Sequence, residues 1–415
     1  MTIADNLAAP IVATAAKAFS SSYDPVKPSL KVIFHYHWKH FINFISSKRP
    51  DITIRPIVFD EVDRLIHCGS IENGFEVYEC PNCHNHHIIC FTCKSRFCPS
   101  CGTKAVRARA LKIAESTLDV KHRHIVFTID ERLRPYFKKY RHFLNFLFDA
   151  SWNTLSYTFS KMARKNNSLT PGAIMTLHTY GRDLKWNPHM HCLLTEGGMN
   201  DDHVYKAIDY IDYHRLRKSF MKSLLDLMND ALEDTADYHN FKKLKKSLYS
   251  DDSNGFYVNA PPRNDTSPSG KKQVVQYIIR YAGKPAMAQS RITSYDYHSS
   301  LISYYYEDHK TNKRIEVKEH IYSFFLKLIQ HIPERQFKMI RYYGIYATCD
   351  HSHKEAVKRK IHGYGFNKNW LNNSKHYRLS LIDTLGVDPL LCTCGHYMVY
   401  VDSYLPPKFK DWDTT

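Results

Sequence analysis

The sequence predicts an α+β fold: an antiparallel sheet with helices packed across it, preceded by a helical segment and a small cysteine-rich module. Three features predict it. Seven of the eleven cysteines fall between Cys68 and Cys101. Two apolar stretches, near residues 173–180 and 189–195, flank a segment rich in turn-forming residues, the pattern of a hairpin. Several other stretches repeat apolar residues at helical spacing.

At 415 residues, with 43% apolar and 13% aromatic residues, the chain can form two or three folded units, each with its own core. We read a tail and helical region over 1–66, a cysteine module over 67–105, a sheet-and-helix domain over 120–292 and a C-terminal α/β region over 293–415. With 58 Lys plus Arg against 41 Asp plus Glu, the charge of +17 favours an anionic partner, nucleic acid before membrane. That charge exceeds what solubility alone requires.

The first residues, "MTIADNLAAPIVATAAKAFSSSYDP", carry Asp5 where a secretory signal needs positive charge, and Pro10 interrupts the apolar patch; they read as a frayed tail. No stretch approaches the roughly 18 apolar residues of a membrane span, so a cytoplasmic location without membrane contact is expected. Residues 29–66 read as mostly helical, from apolar positions in "LKVIFHYHWKHFINFI".

The segment from Cys68 to Cys101 contains Cys80-x-x-Cys83, Cys90-x-x-Cys93 and Cys98-x-x-Cys101. Each C-x-x-C presents two thiolates at the tip of a tight turn, and two such knuckles close a tetrahedral Zn²⁺ site of structural type. Few apolar residues separate the knuckles, so metal binding would supply the folding energy. Cys80, Cys83, Cys98 and Cys101 are the expected first site, and a second ion could use Cys68, Cys90 or a nearby His, with Cys93 also a candidate zinc ligand; His84, His86 and His87 read as surface residues rather than ligands. Lys94, Arg96 and Lys104 make the module a nucleic-acid contact surface, and a protein-protein role has the same signature. A basic helix with Arg107, Arg109 and Lys112 leads out of it.

Next, "RHIVFTID" (123–130) reads as a buried strand and residues from Glu131 to about Lys165 as one long amphipathic helix. In the following hairpin, with its turn in "GRDLKWNP", His189 and His191 sit two apart in a strand, so both imidazoles project from one face and can chelate one ion. H-x-H occurs five times here and about once or twice is expected from 25 histidines, so context decides. His35/His37 lies in a helical stretch, His84/His86 within the cysteine segment and His351/His353 in a polar loop. His122/His124 is the competitor to His189/His191.

Beyond a charged helical stretch to about residue 250, "FYVNAPPRNDTSPSGKK" gives a short strand and a loop, and "QVVQYIIRYAGKPAMAQSRI" a helix stopped by Gly283 and Pro285. Tyr277 and Tyr281 fall on one face of that helix. Y-x-x-x-Y also occurs at Tyr136/Tyr140, Tyr342/Tyr346 and Tyr400/Tyr404, where packing suffices as a role. The pair in "QYIIRYAGK" differs in having Arg280 and Lys284 beside the phenols, suited to an approaching phosphate. A hairpin and a helix ("YSFFLKLIQHIPERQF") follow, and Cys392-x-Cys394 is too tight for an ordinary knuckle.

These blocks, in this order, resemble the HUH-endonuclease rolling-circle transposases of the bacterial insertion sequence ninety-one family. The resemblance runs from about Cys68 to Gly344: "YECPNC" and "CKSRFCPSCG" for the zinc region, "RHIVFTI" for the first strand, "HTYGRDLKWNPHMHCLL" for the metal motif, "YIIRYAGKPAMAQSRI" for the tyrosine helix and "HIPERQFKMIRYYG" for a late block. The C-terminal "CTCGHY" departs from the family's usual C-x-x-C. The resemblance implies an HUH-type antiparallel sheet that nicks and rejoins single-stranded DNA at element ends and target. His189 and His191 with a third ligand would hold Mg²⁺ or Mn²⁺ against the scissile phosphate. Tyr277 or Tyr281 would become linked to a 5′ phosphate, and Arg280 or Lys284 would favour the phenolate. His178, ending the partner strand, is the candidate third ligand or a histidine hydrogen-bonded within the sheet; Gln273 and Gln276 are alternatives. A replication initiator or relaxase of the same chemistry and a non-enzymatic zinc-containing regulator are the rival readings.

Overall fold

The computed structural model describes residues 29–102, 110, 113–114, 117–162, 169–202, 204–251, 254–260, 270–282, 284–308, 311–347 and 388–405. The expected tail, most of the basic helix with Arg107, Arg109 and Lys112, Gly283 and His351/His353 lie outside the described residues. In chain order the elements used below are α1 (Leu30–Lys48), α2 (Pro56–Ile66), β1 (Phe75–Glu79), β2 (His86–Cys90), β3 (His122–Thr128), α3 (Arg134–Lys139), α4 (Leu144–Met162), β4 (Thr170–Tyr180), β5 (Trp186–Met199), β6 (Tyr205–Ala207), α5 (Tyr213–Leu232), α6 (Tyr238–Asp251), β7 (Val258–Asn259), α7 (Gly270–Tyr277), β8 (Ile292–Asp296), β9 (Leu301–Glu307), β10 (Arg314–His320), α8 (Ile321–Ile329), β11 (Ile340–Gly344) and β12 (Val399–Tyr404). Helices and antiparallel strands mix as the α+β reading requires.

The chain divides into two compact units, and neither is continuous in sequence. One comprises residues 1–105, 285–332 and 372–415; the other comprises 106–284 and 333–371. Residues 293–415, read from the sequence as one region, are therefore shared between both.

In the first unit, α1 buries Leu30, Ile33, Phe34, His37, Phe41 and Ile45, a stripe at three- and four-residue steps, and Ser29 caps its start by accepting from the Val32 amide. Phe34 stacks on Phe325 of α8 with ring centroids 4.0 Å apart. Strands β8, β9 and β10 form one antiparallel sheet, and β12, β1 and β2 another. The second of these joins the C-terminal strand to the cysteine segment, with Phe75 opposite Tyr404 and Glu79 opposite Val399.

The second unit is built on an antiparallel sheet of order β11-β4-β5-β3-β7, with β6 paired to β5. Alternation assigns its faces. Ile125 and Phe127 of β3, Ala173, Met175 and Leu177 of β4, and Met190, Cys192 and Leu194 of β5 enter one core with α3 to α6. Phe127 is fully buried, 5.0 Å from the ring of Phe220, and its truncation to Ala would cost about 3–5 kcal/mol. Ile174 and Leu193, one residue out of phase, enter a second core on the opposite face with Val274, Tyr277 and Ile278. The tyrosine helix thus covers the face to which His124, His178, His189 and His191 belong.

Two elements differ from expectation. The long helix from Glu131 is broken: Tyr140, with ψ near 78°, ends α3, and its hydroxyl donates to Asp237 at 2.8 Å. The hairpin turn is shorter than "GRDLKWNP", because Leu184 takes a φ of 63° and the Gly181 amide bonds the Lys185 carbonyl, so that Asn187 and Pro188 already belong to β5.

Candidate functional site

Register places the imidazoles. His189 of β5 lies directly opposite His178 of β4, and His191 lies between Thr176 of β4 and Val126 of β3. Donor nitrogens of His178, His189 and His191 all fall within 4.8 Å of one another. His189 Nδ1 contacts the Asn187 carbonyl at 2.8 Å. A carbonyl can only accept, so the His189 proton resides on Nδ1 and the Nε2 lone pair turns toward His191. The two Nε2 atoms are 3.1 Å apart. Two nitrogens bound at right angles to one cation at about 2.1 Å would stand about 3 Å apart, so this pair fits the donor geometry of an octahedral divalent ion. Burial, with His178, His189 and His124 as neighbours, pushes the pKa of His191 well below the usual imidazole value. It is therefore neutral, as a ligand must be.

His178 meets the Tyr281 carbonyl through Nε2 at 2.6 Å, so its lone pair lies on Nδ1 and the same bond ties it to the tyrosine helix. Gln273, the alternative ligand, is committed elsewhere: its amide accepts from His122 N at 3.1 Å and donates to His122 O at 2.6 Å. That reciprocal pair fastens α7 to β3. Gln276 is exposed.

The two tyrosines occupy different environments. The helix changes to π geometry over Ile278–Ala282, a local distortion frequent at functional sites. Tyr281 lies over the imidazoles, its ring centroid 4.2 Å from that of His191 and 4.5 Å from that of His124, both near-parallel. Tyr277 is only 3% exposed, and its hydroxyl donates to the His191 carbonyl at 2.9 Å, with the Ile174 carbonyl and Thr176 Oγ1 at 3.2 and 3.3 Å. Burial, then the neighbouring Cys192, raises its pKa well above the ordinary phenol value. The sequence left open whether Tyr277 or Tyr281 attacks; in this conformation the Tyr277 hydroxyl is turned into the sheet. Helical spacing puts both on one face but does not say how far around that face the sheet closes. Arg280 and Lys284 are exposed beside the site, and the Lys284 carbonyl accepts from the Tyr180 hydroxyl at 3.0 Å.

In the other unit the cysteines form two groups, Cys68/Cys93/Cys98/Cys101 and Cys80/Cys83/Cys392/Cys394. The expected set of Cys80, Cys83, Cys98 and Cys101 is corrected: each knuckle finds a different partner. Sulfur separations are 3.4 Å for Cys68–Cys101, 3.5 Å for Cys93–Cys101 and 3.7 Å for Cys98–Cys68. In the second group they are 3.4 Å for Cys80–Cys394 and 3.5 Å for Cys83–Cys392. Four thiolates at 2.3 Å around a tetrahedral zinc stand about 3.8 Å apart, so both sets fit. Cys392-x-Cys394, judged too tight, closes because Gly395 adopts a φ of 86° and its amide bonds the Cys392 carbonyl. Cys90 belongs to neither group. His84 and His86 instead contact Glu79, His84 at 2.7 Å. Lys94 is exposed and Arg96 half-buried.

Two families of known proteins match parts of the chain. Residues 33–129 match a family described as "Transposase zinc-binding domain" and residues 172–354 one described as "Putative transposase". The chain is similar to the transposase for insertion sequence element IS801 of Pseudomonas savastanoi pv. phaseolicola, 29% identical over 84% of each chain. It is also similar to "Putative transposase y4qJ" of Sinorhizobium fredii, 25% identical over 71% of this chain and 76% of that one. No solved structure matches.

Proposed function

Because the chain belongs to the insertion sequence ninety-one family of DNA transposases, we propose that it nicks and rejoins single-stranded DNA through a tyrosine of the second unit. His189 and His191 through Nε2, with His178, would hold a divalent cation, Mg²⁺ or Mn²⁺. Such an ion, when bound, polarises a phosphoryl oxygen and orients the phosphodiester for in-line displacement.

The chain's own groups supply the rest. Tyr281 is the nucleophile: its phenolic oxygen bonds to phosphorus, the bond from phosphorus to the 3′ oxygen breaks, the phenol proton passes to solvent and the 3′ oxygen leaves as a hydroxyl. The new phosphotyrosine keeps the energy of the broken bond, so a 3′-hydroxyl can later reverse the step without ATP. Tyr277, with its hydroxyl in the sheet, positions the strand that carries His191. Arg280 and Lys284 offer positive charge to the DNA backbone. The two cysteine groups would each hold a structural Zn²⁺, with Lys94 and Arg96 beside them for DNA contact.

The observation that carries this reading is the stack of Tyr281 on His191, a phenol resting against a ligand of the convergent triad. Incubating the protein with 3′-labelled single-stranded oligonucleotides and Mn²⁺ tests it, since the cleaved strand should remain attached through denaturation. Tyr277→Phe with Tyr281→Phe should bind DNA and form no adduct. Adduct persisting in that double variant rejects both tyrosines, and its absence from the wild type favours a non-enzymatic regulator.

A further inference from the structure

The competing pair His122/His124 lies on the same face of the sheet as the triad, yet its members do different things. His122 is buried and shares its Nε2 with the Tyr346 hydroxyl at 2.8 Å. His124 Nε2 meets His191 Nδ1 at 3.0 Å, with the two rings 17° from parallel. Tyr281 stacks on His124 as it does on His191, 4.5 Å away and 25° from parallel, and Tyr277 meets His124 edge-on at 5.6 Å. It approaches His191 at the nitrogen opposite the one turned toward His189, and it is not part of the convergent donor group.

We propose that His124 is a positioning residue for the strand-transfer reaction, holding the metal ligand His191 and the nucleophile Tyr281 in one mutual orientation. The proposal rests on the metal and tyrosine site described above. If His191 Nε2 gives its lone pair to the cation, its proton must sit on Nδ1, and His124 Nε2 is the acceptor at hydrogen-bond distance. The bond fixes the tautomer and rotation of His191, as partners of metal-bound imidazoles do elsewhere. Tyr281 stacks on both imidazoles, so holding the two rings side by side fixes the surface on which the phenol rests. A single side chain of β3 thus couples a ligand on β5 to a nucleophile on the helix that crosses the sheet, a link that H-x-H and Y-x-x-x-Y each leave open.

The test separates acceptor from ring. His124→Phe keeps an aromatic ring beside His191 and stacked on Tyr281 and removes the acceptor; His124→Gln places an amide oxygen near the position of Nε2. Mn²⁺ titration of the full-length, zinc-loaded protein by calorimetry should show affinity falling roughly 10- to 100-fold in H124F and recovering to within about 3-fold of wild type in H124Q. The Mn²⁺ concentration needed for half-maximal adduct should move with it, and excess Mn²⁺ should restore much of the H124F rate, which a merely misfolded site would not allow. His124→Asn, whose amide stops short of His191, gives the same loss if H124F does not fold. Equal Mn²⁺ affinity in wild type and H124F, or failure of H124Q to recover, overturns the positioning role alone. A wild type that takes up no Mn²⁺ overturns the metal site and this role with it.

Discussion

Replacing the two phenols one at a time should separate stability from chemistry. Tyr277→Phe removes a buried hydroxyl that donates to the His191 carbonyl at 2.9 Å. One such hydrogen bond contributes about 0.5–1.5 kcal/mol net. For a unit of this size the melting point should drop by about 1–5 °C. The ring itself stays, and with it the packing against Ile174 and Val274 in the second core. Tyr281→Phe keeps both imidazole stacks and should change stability by no more than about 0.5 kcal/mol. For chemistry the order reverses. Y281F should lose covalent adduct by on the order of 10³-fold or more, having no oxygen to attack phosphorus, while Y277F retains it. Denaturing gels with 3′-labelled oligonucleotides give the adduct, and differential scanning calorimetry gives the melting points. Adduct in Y281F together with none in Y277F would refute the reasoning, because it would mean that the buried phenol swings out and reacts.

Metal content tests the cysteine grouping: the wild type should contain two zinc ions by elemental analysis, Cys392→Ser about one, and Cys192→Ser, which alters a buried cysteine outside both groups, still two. Retention of both ions in C392S would reject the second set. Burial holds the His122 pKa down to about 4, against 6.5 for an ordinary histidine, so between these values the unfolded chain binds more protons than the folded one. Stability is therefore full above about pH 6.5 and is lost as pH falls toward 4, with about 2 kcal/mol gone from this residue between pH 7 and pH 5. His124 and His191 act in the same direction. Urea unfolding at the two pH values should show the loss, smaller in His122→Phe; an unchanged slope in that variant would remove His122 as the cause.

What the sequence made legible was local and periodic. Alternation along "HMHCLL" fixed which side chains share a face, and the neighbouring strand carrying His178 followed from the hairpin pattern. Spacing in "QYIIRYAGK" placed the phenols together, and the C-x-x-C turns announced a metal module. The missing part lies in pairings that no local period encodes. Cys83 and Cys392 are more than 300 residues apart, and the antiparallel ladder of β1 with β12 brings them together. The Gly after Cys394 was the available signal that the C-x-C could turn. The break at Tyr140 depends on an acceptor, Asp237, supplied by the turn that precedes α6. The inward turn of Tyr277 depends on backbone acceptors of two strands, and helical spacing is silent on those.

The central claim is that three imidazoles from two paired strands and one phenol from the crossing helix address a single cation. A crystal soaked in Mn²⁺ and measured at the manganese absorption edge tests it most directly. The account predicts one anomalous peak about 2.2 Å from Nε2 of both His189 and His191, within reach of His178 and beside Tyr281. A manganese peak elsewhere, away from the two cysteine groups, or none between those two nitrogens at millimolar Mn²⁺, would contradict it.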